Sequence, residues 1–220
     1  MSVRDVWSLE LDFLPRKAIR VEPVEENLST DAGLLVLRQW DEQQGWTSDF
    51  AAQLHDGRRD PEHSIVEMVR SRVFGVLAGY EDQNDHDALR SDAIFKLVAN
   101  RLPEDDDLAS QPTLSRFENA VTPSDLLRLE ALFIERFVNS FAEPPREITL
   151  DVDVFDEPTH GAQQLTLFHG FYDQYQYLVR AITCAENDLV VLPALLYGTA
   201  DPALALENEL ERIAAALRER

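Results

Sequence analysis

Apolar positions fall into a helical rhythm soon after Thr30-Asp31, a pair suited to an N-cap: Leu34, Leu35, Leu37 and Trp40 predict a helix to about Gln44. Upstream, residues 1–30 read as an extended arm, with Ala18-Ile19-Arg20-Val21 as a possible short strand before Pro23. Ser64-Ile65-Val66-Glu67 has capping-box spacing and starts a second helix. That helix carries Met68, Val69, Val73, Phe74, Val76 and Leu77, enough to predict burial on most sides. After a polar break at 79–86, Leu89, Ile94, Leu97 and Val98 predict a helix over about 86–100. An acidic loop at Pro103–Asp107 and a short helix at Thr113–Asn119 follow. Thr122-Pro123, a capping side chain before a proline suited to the first helical position, starts a helix reaching Phe141. Residues 31–143 thus read as a helical domain.

Pro144-Pro145 marks a boundary, and beyond it the period changes to two. Ile148, Leu150, Val152 and Val154 alternate with Thr149, Asp151 and Asp153, as in a strand. Gln176–Ala185 and Leu189–Tyr197 read as further strands, and Gln164–His169 as a weaker, shorter one. Residues 201–219 form an amphipathic helix through Leu204, Leu206, Leu210, Ile213 and Leu217. The expected class is α+β: a helical N-terminal region, then three clear strands and one helix over 146–220.

Composition changes this picture in one respect. The net charge of −21 sets up a field that repels nucleic acid, so DNA binding would need a local basic patch. The lone Cys184 excludes an intramolecular disulfide and a cysteine zinc site. No export signal and no run of membrane-spanning length is evident, which leads us to expect a soluble, cytoplasmic protein.

Asp151 and Asp153 carry the sharpest candidate chemistry. Two apart on a strand, they leave the same face, roughly 7 Å from Cα to Cα. Carboxylate oxygens in that arrangement suit magnesium and two-metal phosphoryl transfer. The alternative is an edge strand with both aspartates in water. His160 and His169 are open to metal, base or purely structural roles. Phe168, Phe171, Tyr172, Tyr175 and Tyr177 suit packing better than base stacking. The segment Leu108–Arg116 looks like the second half of a helix-turn-helix, with Gln111, Thr113, Ser115 and Arg116 placed to reach base edges; a capped helix packed on its neighbours is the competing reading.

The segments Gly79–His86 (GYEDQNDH), Leu89–Asp92 (LRSD) and Leu108–Asn119 (LASQPTLSRFEN) resemble the signatures of DDE group 1 insertion-sequence transposases. Leu150–Asp153, Pro158–Gly161, Gln163-Gln164 and Leu167–Tyr177 continue the resemblance in order. It implies a ribonuclease H-like core whose first catalytic aspartate is Asp153, on an inner strand and turned towards bound metal, with Asp151 as a neighbouring ligand. Mg²⁺ as cofactor, the DNA ends of a mobile element as partner and a homodimer are implied with it. The family's second aspartate and its glutamate are expected on a later strand and helix, beyond Arg220. The resemblance therefore implies a truncated core, inactive alone, with an open strand edge and an uncovered apolar face. One departure falls near the site: Phe155 stands where the family often has threonine.

Overall fold

The computed structural model of the protein describes residues 8–22, 30–159 and 166–219. These fall into two compact units, Met1–Leu126 and Leu127–Arg220.

In the first unit, the stretch read as an extended arm holds a two-stranded antiparallel ladder. β1 (Leu9–Leu11) pairs with β2 (Ile19–Val21), Leu9 opposite Val21. Leu11, Phe13 and Leu14 anchor it in a core shared with Leu34, Leu35, Phe74, Phe95 and Val98. A 3-10 turn at Thr30–Gly33 leads into α1 (Leu34–Gln44), which ends at Gly45 with φ 70°, a left-handed conformation that glycine adopts without steric cost. α2 (Trp46–Gln53) follows at once, too short and mixed in composition to announce itself by periodicity.

α3 (Ile65–Leu77) starts where its spacing predicts, with Ser64 Oγ accepting from Glu67 N at 3.2 Å. Burial on most sides is corrected, because Val76 and Leu77 are more than half exposed while Glu67 and Arg70 lie inside. The inward face is held by ion pairs: Glu67 meets Arg101 at 2.9 Å. The helix expected over 86–100 is two, α4 (His86–Leu89) and α5 (Ala93–Val98). The cause is Asp92, whose carboxylate accepts from Ile94 N and Phe95 N and so caps a new helix. α6 (Gln111–Asn119) and α7 (Pro123–Asn139) complete the helices before the sheet. At the start of α7, Thr122 N and Oγ donate to Asp125 Oδ2 at 2.7 and 2.6 Å, and Asp125 N donates back to Thr122 Oγ.

The second unit is an antiparallel sheet of four described strands rather than three. They are β3 (Leu150–Pro158), β4 (Leu167–His169), β5 (Gln174–Cys184) and β6 (Leu189–Tyr197). β5 is central, with β3 on one side and β4 and β6 on the other. Alternate residues of β5 from Gln176 to Cys184 are buried. Ile182 and Cys184 pack with Val191 and Leu192, with Ile134, Phe137 and Val138 of α7, and with Ile213 of α8 (Leu206–Arg218). Arg180, fully buried, reaches Glu209 of α8 at 2.6 Å and donates to Pro202 O and Leu204 O, fixing the start of that helix on the sheet. Gly198 is required by space: a Cβ there would collide with Gln176 O and lie 2.9 Å from Leu167 O.

Candidate functional site

The register divides the sheet into two unlike faces. Gln176, Leu178, Arg180, Ile182 and Cys184 of β5 turn to the buried side, and Arg180 identifies that side as the one α8 covers. Residues directly opposite in a ladder share a face. Asp151 lies opposite Thr183 and Asp153 opposite Ala181, so both aspartates stand on the other face. Phe155 and Glu157 continue their row along β3.

Both aspartates are exposed, and among the described residues neither has a hydrogen-bond or ion-pair partner. β3 pairs with β5 alone. The inner-strand placement of Asp153 is thereby corrected: in the described residues its strand is an edge and its side chain faces solvent. What holds is two unneutralised carboxylates side by side on one sheet face. Glu209 of α8 is held by Arg180 on the opposite face. No group of three or more His, Cys, Asp or Glu able to hold a metal occurs among the described residues.

The hairpin joining β4 and β5 gathers the aromatic cluster. Phe168 and Tyr175 meet edge to face at 5.5 Å, His169 packs on Tyr172 at 4.9 Å, and Phe171 is 85% exposed. The rings at the tip thus pack mainly on one another across the sheet face rather than in a core. His160 lies outside the described residues.

The four residues of the helix-turn-helix reading do not converge. Thr113 and Arg116, three apart, are joined by a hydrogen bond from Arg116 Nη2 to Thr113 Oγ at 3.3 Å. Ser115 instead accepts from Asn119 through its carbonyl at 2.8 Å, and Gln111 N donates to Asp87 at 3.2 Å. At 100° per residue, Gln111 and Ser115 share one side of α6 and Thr113 and Arg116 another. The twelve residues from Ala99 to Ser110 separate α6 from α5. A helix-turn-helix allows three or four there, so α6 is not the second helix of that motif.

The signature segments of the helical unit prove to be structural joints. Tyr80 Oη donates to Asp31 at 3.2 Å, Asp82 accepts from Asn84 N, and Asp92 caps α5. His86 is buried, and Arg72 Nη1 donates to its Nε2 at 3.2 Å. Burial, and then the Arg72 guanidinium, push the His86 pKa below its ordinary value. Gly75 leaves room for the ring, since a Cβ there would sit 3.0 Å from Nε2. Sequence reasoning missed this packing role because polar residues in a loop read as candidates for chemistry.

No helix among the described residues is long and apolar enough to cross a membrane. Comparison with curated proteins and with solved structures found no match to the chain. A family model described as Transposase DDE domain group 1 matches residues 12–220. The chain therefore belongs to that transposase family, which implies a role in DNA transposition, DNA as a partner and divalent metal ions as the group its members typically use.

Proposed function

We propose that Asp153 is the first catalytic carboxylate of a DDE phosphoryl-transfer site, that Asp151 joins it as a metal ligand, and that residues 146–220 are the opening part of a ribonuclease H-like core. Residues 31–143 then serve as the DNA-binding or dimerisation domain. The observation that carries this is the row on β3: two exposed carboxylates that, among the described residues, have no partner and stand on an edge strand. Buried carboxylates are normally hydrogen-bonded or paired; these two are exposed and, among the described residues, free to meet a ligand.

The donor set fits magnesium as far as it goes. That ion takes one or two protein carboxylates and keeps several waters. When bound, it supplies Lewis-acid activation of the phosphate and of the attacking oxygen. Asp153 and Asp151 contribute negative oxygens on one face, which orient and retain the cation. No third His, Cys, Asp or Glu joins them in a metal-holding group among the described residues, and two carboxylates alone fall short of a two-metal site. Incubation of the purified chain with cognate element ends and Mg²⁺ or Mn²⁺ tests this: no cleavage is expected, and robust cutting overturns it.

A second reading is a non-catalytic regulator that binds DNA ends or pairs with a full-length transposase. The face bearing the aspartates favours it, because Phe155, Val190, Leu195 and Tyr197 are 44–65% exposed there. Such an apolar patch is a pairing surface, and a homodimer through it is the state we expect. Sedimentation as a clean monomer removes that support; DNA retardation without cleavage favours the regulator. Either role acts on DNA in the cytoplasm.

A further inference from the structure

Most cations of the helical unit are neutralised by a carboxylate. Arg38 meets Asp41, Arg72 meets Glu118, and Arg101 meets Glu67. Among the described residues of this unit, Arg16, Arg59 and Arg116 have no such partner. Two of these three line the same cavity, a space of about 510 Å³ between the 54–65 segment and α6. Its apolar lining includes Leu54, Ile65 and Phe117.

The carboxylates around the cavity are largely engaged. Asp56 is gripped at two points by Arg58, both at 2.7 Å, which holds its pKa low. Asp125 is buried and accepts from His55 N and from Thr122. Glu62 projects into solvent with its side chain 79% exposed. Arg59 and Arg116 are thus the cavity's cations without a carboxylate partner among the described residues, set against the exposed Glu62 and the buried Asp125, in a molecule of net charge −21. Arg116 is already steadied by Thr113.

A volume of this size suits a small organic group, and an apolar floor with a few placed polar groups is the usual form of such a site. Guanidinium groups recognise phosphate oxygens. We propose that the cavity takes one nucleotide of a bound DNA strand, its phosphate between Arg59 and Arg116 and its base against Leu54, Ile65 and Phe117. The inference rests on the reading of residues 31–143 as a DNA-binding domain. It supplies two arginines for phosphate contact in so acidic a chain, and it adds Arg59 to the DNA-contacting residues.

The test is fluorescence anisotropy of the full chain with a short labelled single-stranded oligonucleotide at low salt, with free deoxyadenosine monophosphate in a parallel arm. The double variant Arg59→Gln/Arg116→Gln should bind the strand about tenfold more weakly or worse, and its salt slope should fall by about 0.7, the value for one phosphate no longer neutralised. Arg59→Lys/Arg116→Lys should recover part of the affinity, and unchanged thermal melting establishes that both variants fold. If the Gln variant binds the strand like wild type, the cavity inference is overturned and the reading of residues 31–143 as a DNA-binding domain stands. If wild type binds no DNA, that reading fails and takes this inference with it. If the free mononucleotide binds as tightly as the strand with the same arginine dependence, the site serves a small nucleotide and the DNA assignment is wrong.

Discussion

Acidic side chains are abundant in both units, but four bonded carboxylates of the helical unit and the exposed pair on β3 are placed differently. In the helical unit Asp41, Glu67, Asp92 and Asp125 each accept two or more hydrogen bonds or meet an arginine. On β3, Asp151 and Asp153 meet nothing among the described residues. The first group explains itself through folding: each carboxylate caps a helix, neutralises a buried cation or braces a loop. The second group does nothing evident for the fold. An acidic residue without a structural employment is the better functional candidate, and the comparison can be broken or sharpened by removing charges from either side of it.

The largest effect belongs to Arg38. It is fully buried, donates to Val98 O at 3.1 Å, pairs with Asp41 and Glu42, and lies over the Phe13 ring. Arg38→Ala leaves Asp41 buried beside an empty space and should cost about 3–5 kcal/mol. A shift in the urea midpoint measures this; a change under about 1 kcal/mol would mean that buried pairing contributes little to this unit. Next comes Asp92→Ala, which removes the cap from α5 and should cost about 1 kcal/mol, within a known range of roughly 0.5–2.

Much of this architecture was legible in the residue pattern, and the misses have physical causes. Ser64 with Glu67 and Thr122 with Pro123 marked their helix starts because capping is local chemistry. The period-two alternation located β5 and β6 to within two residues. Asp92 broke an apolar pattern that looked continuous, since one capping hydrogen-bond pair outweighs the weak propensity of a short segment. That Asp151 and Asp153 share a face was legible; whether that face met solvent, and whether the strand was inner or edge, was not, because strand order depends on partners far along the chain. The cavity beside α6 was also invisible, for Arg59 and Thr113 lie more than fifty residues apart.

A smaller effect is expected from His86, through pH. Its pKa in the folded protein is lowered by burial and then by Arg72, so the folded state favours the neutral ring. The unfolded ring takes up its proton near its ordinary value of about 6.5. The contribution to stability is therefore fully present above that pH and declines as pH falls below it towards the folded value. Denaturation midpoints recorded above and below about pH 6.5 should show this fall in the wild type and a shallower one in His86→Gln. Equal pH slopes in the two proteins would remove His86 as the cause.

The smallest expected effect on stability is the most decisive for function. Asp151→Asn and Asp153→Asn remove charges that hold nothing, so each should change stability by no more than about 0.5 kcal/mol, and relief of repulsion between neighbours on one face makes a slight gain the expected sign. Divalent binding should respond quite differently. Mn²⁺ added to the wild-type chain should broaden the amide resonances of Thr183 and Ala181, which lie opposite the two aspartates, and Asp153→Asn should abolish that broadening with the fold intact. A marked loss of stability in either variant would show a structural partner and return these carboxylates to the class seen in the helical unit. Unchanged broadening in the double variant would show that the cation is held elsewhere, and the proposed DDE site on β3 would have to be abandoned.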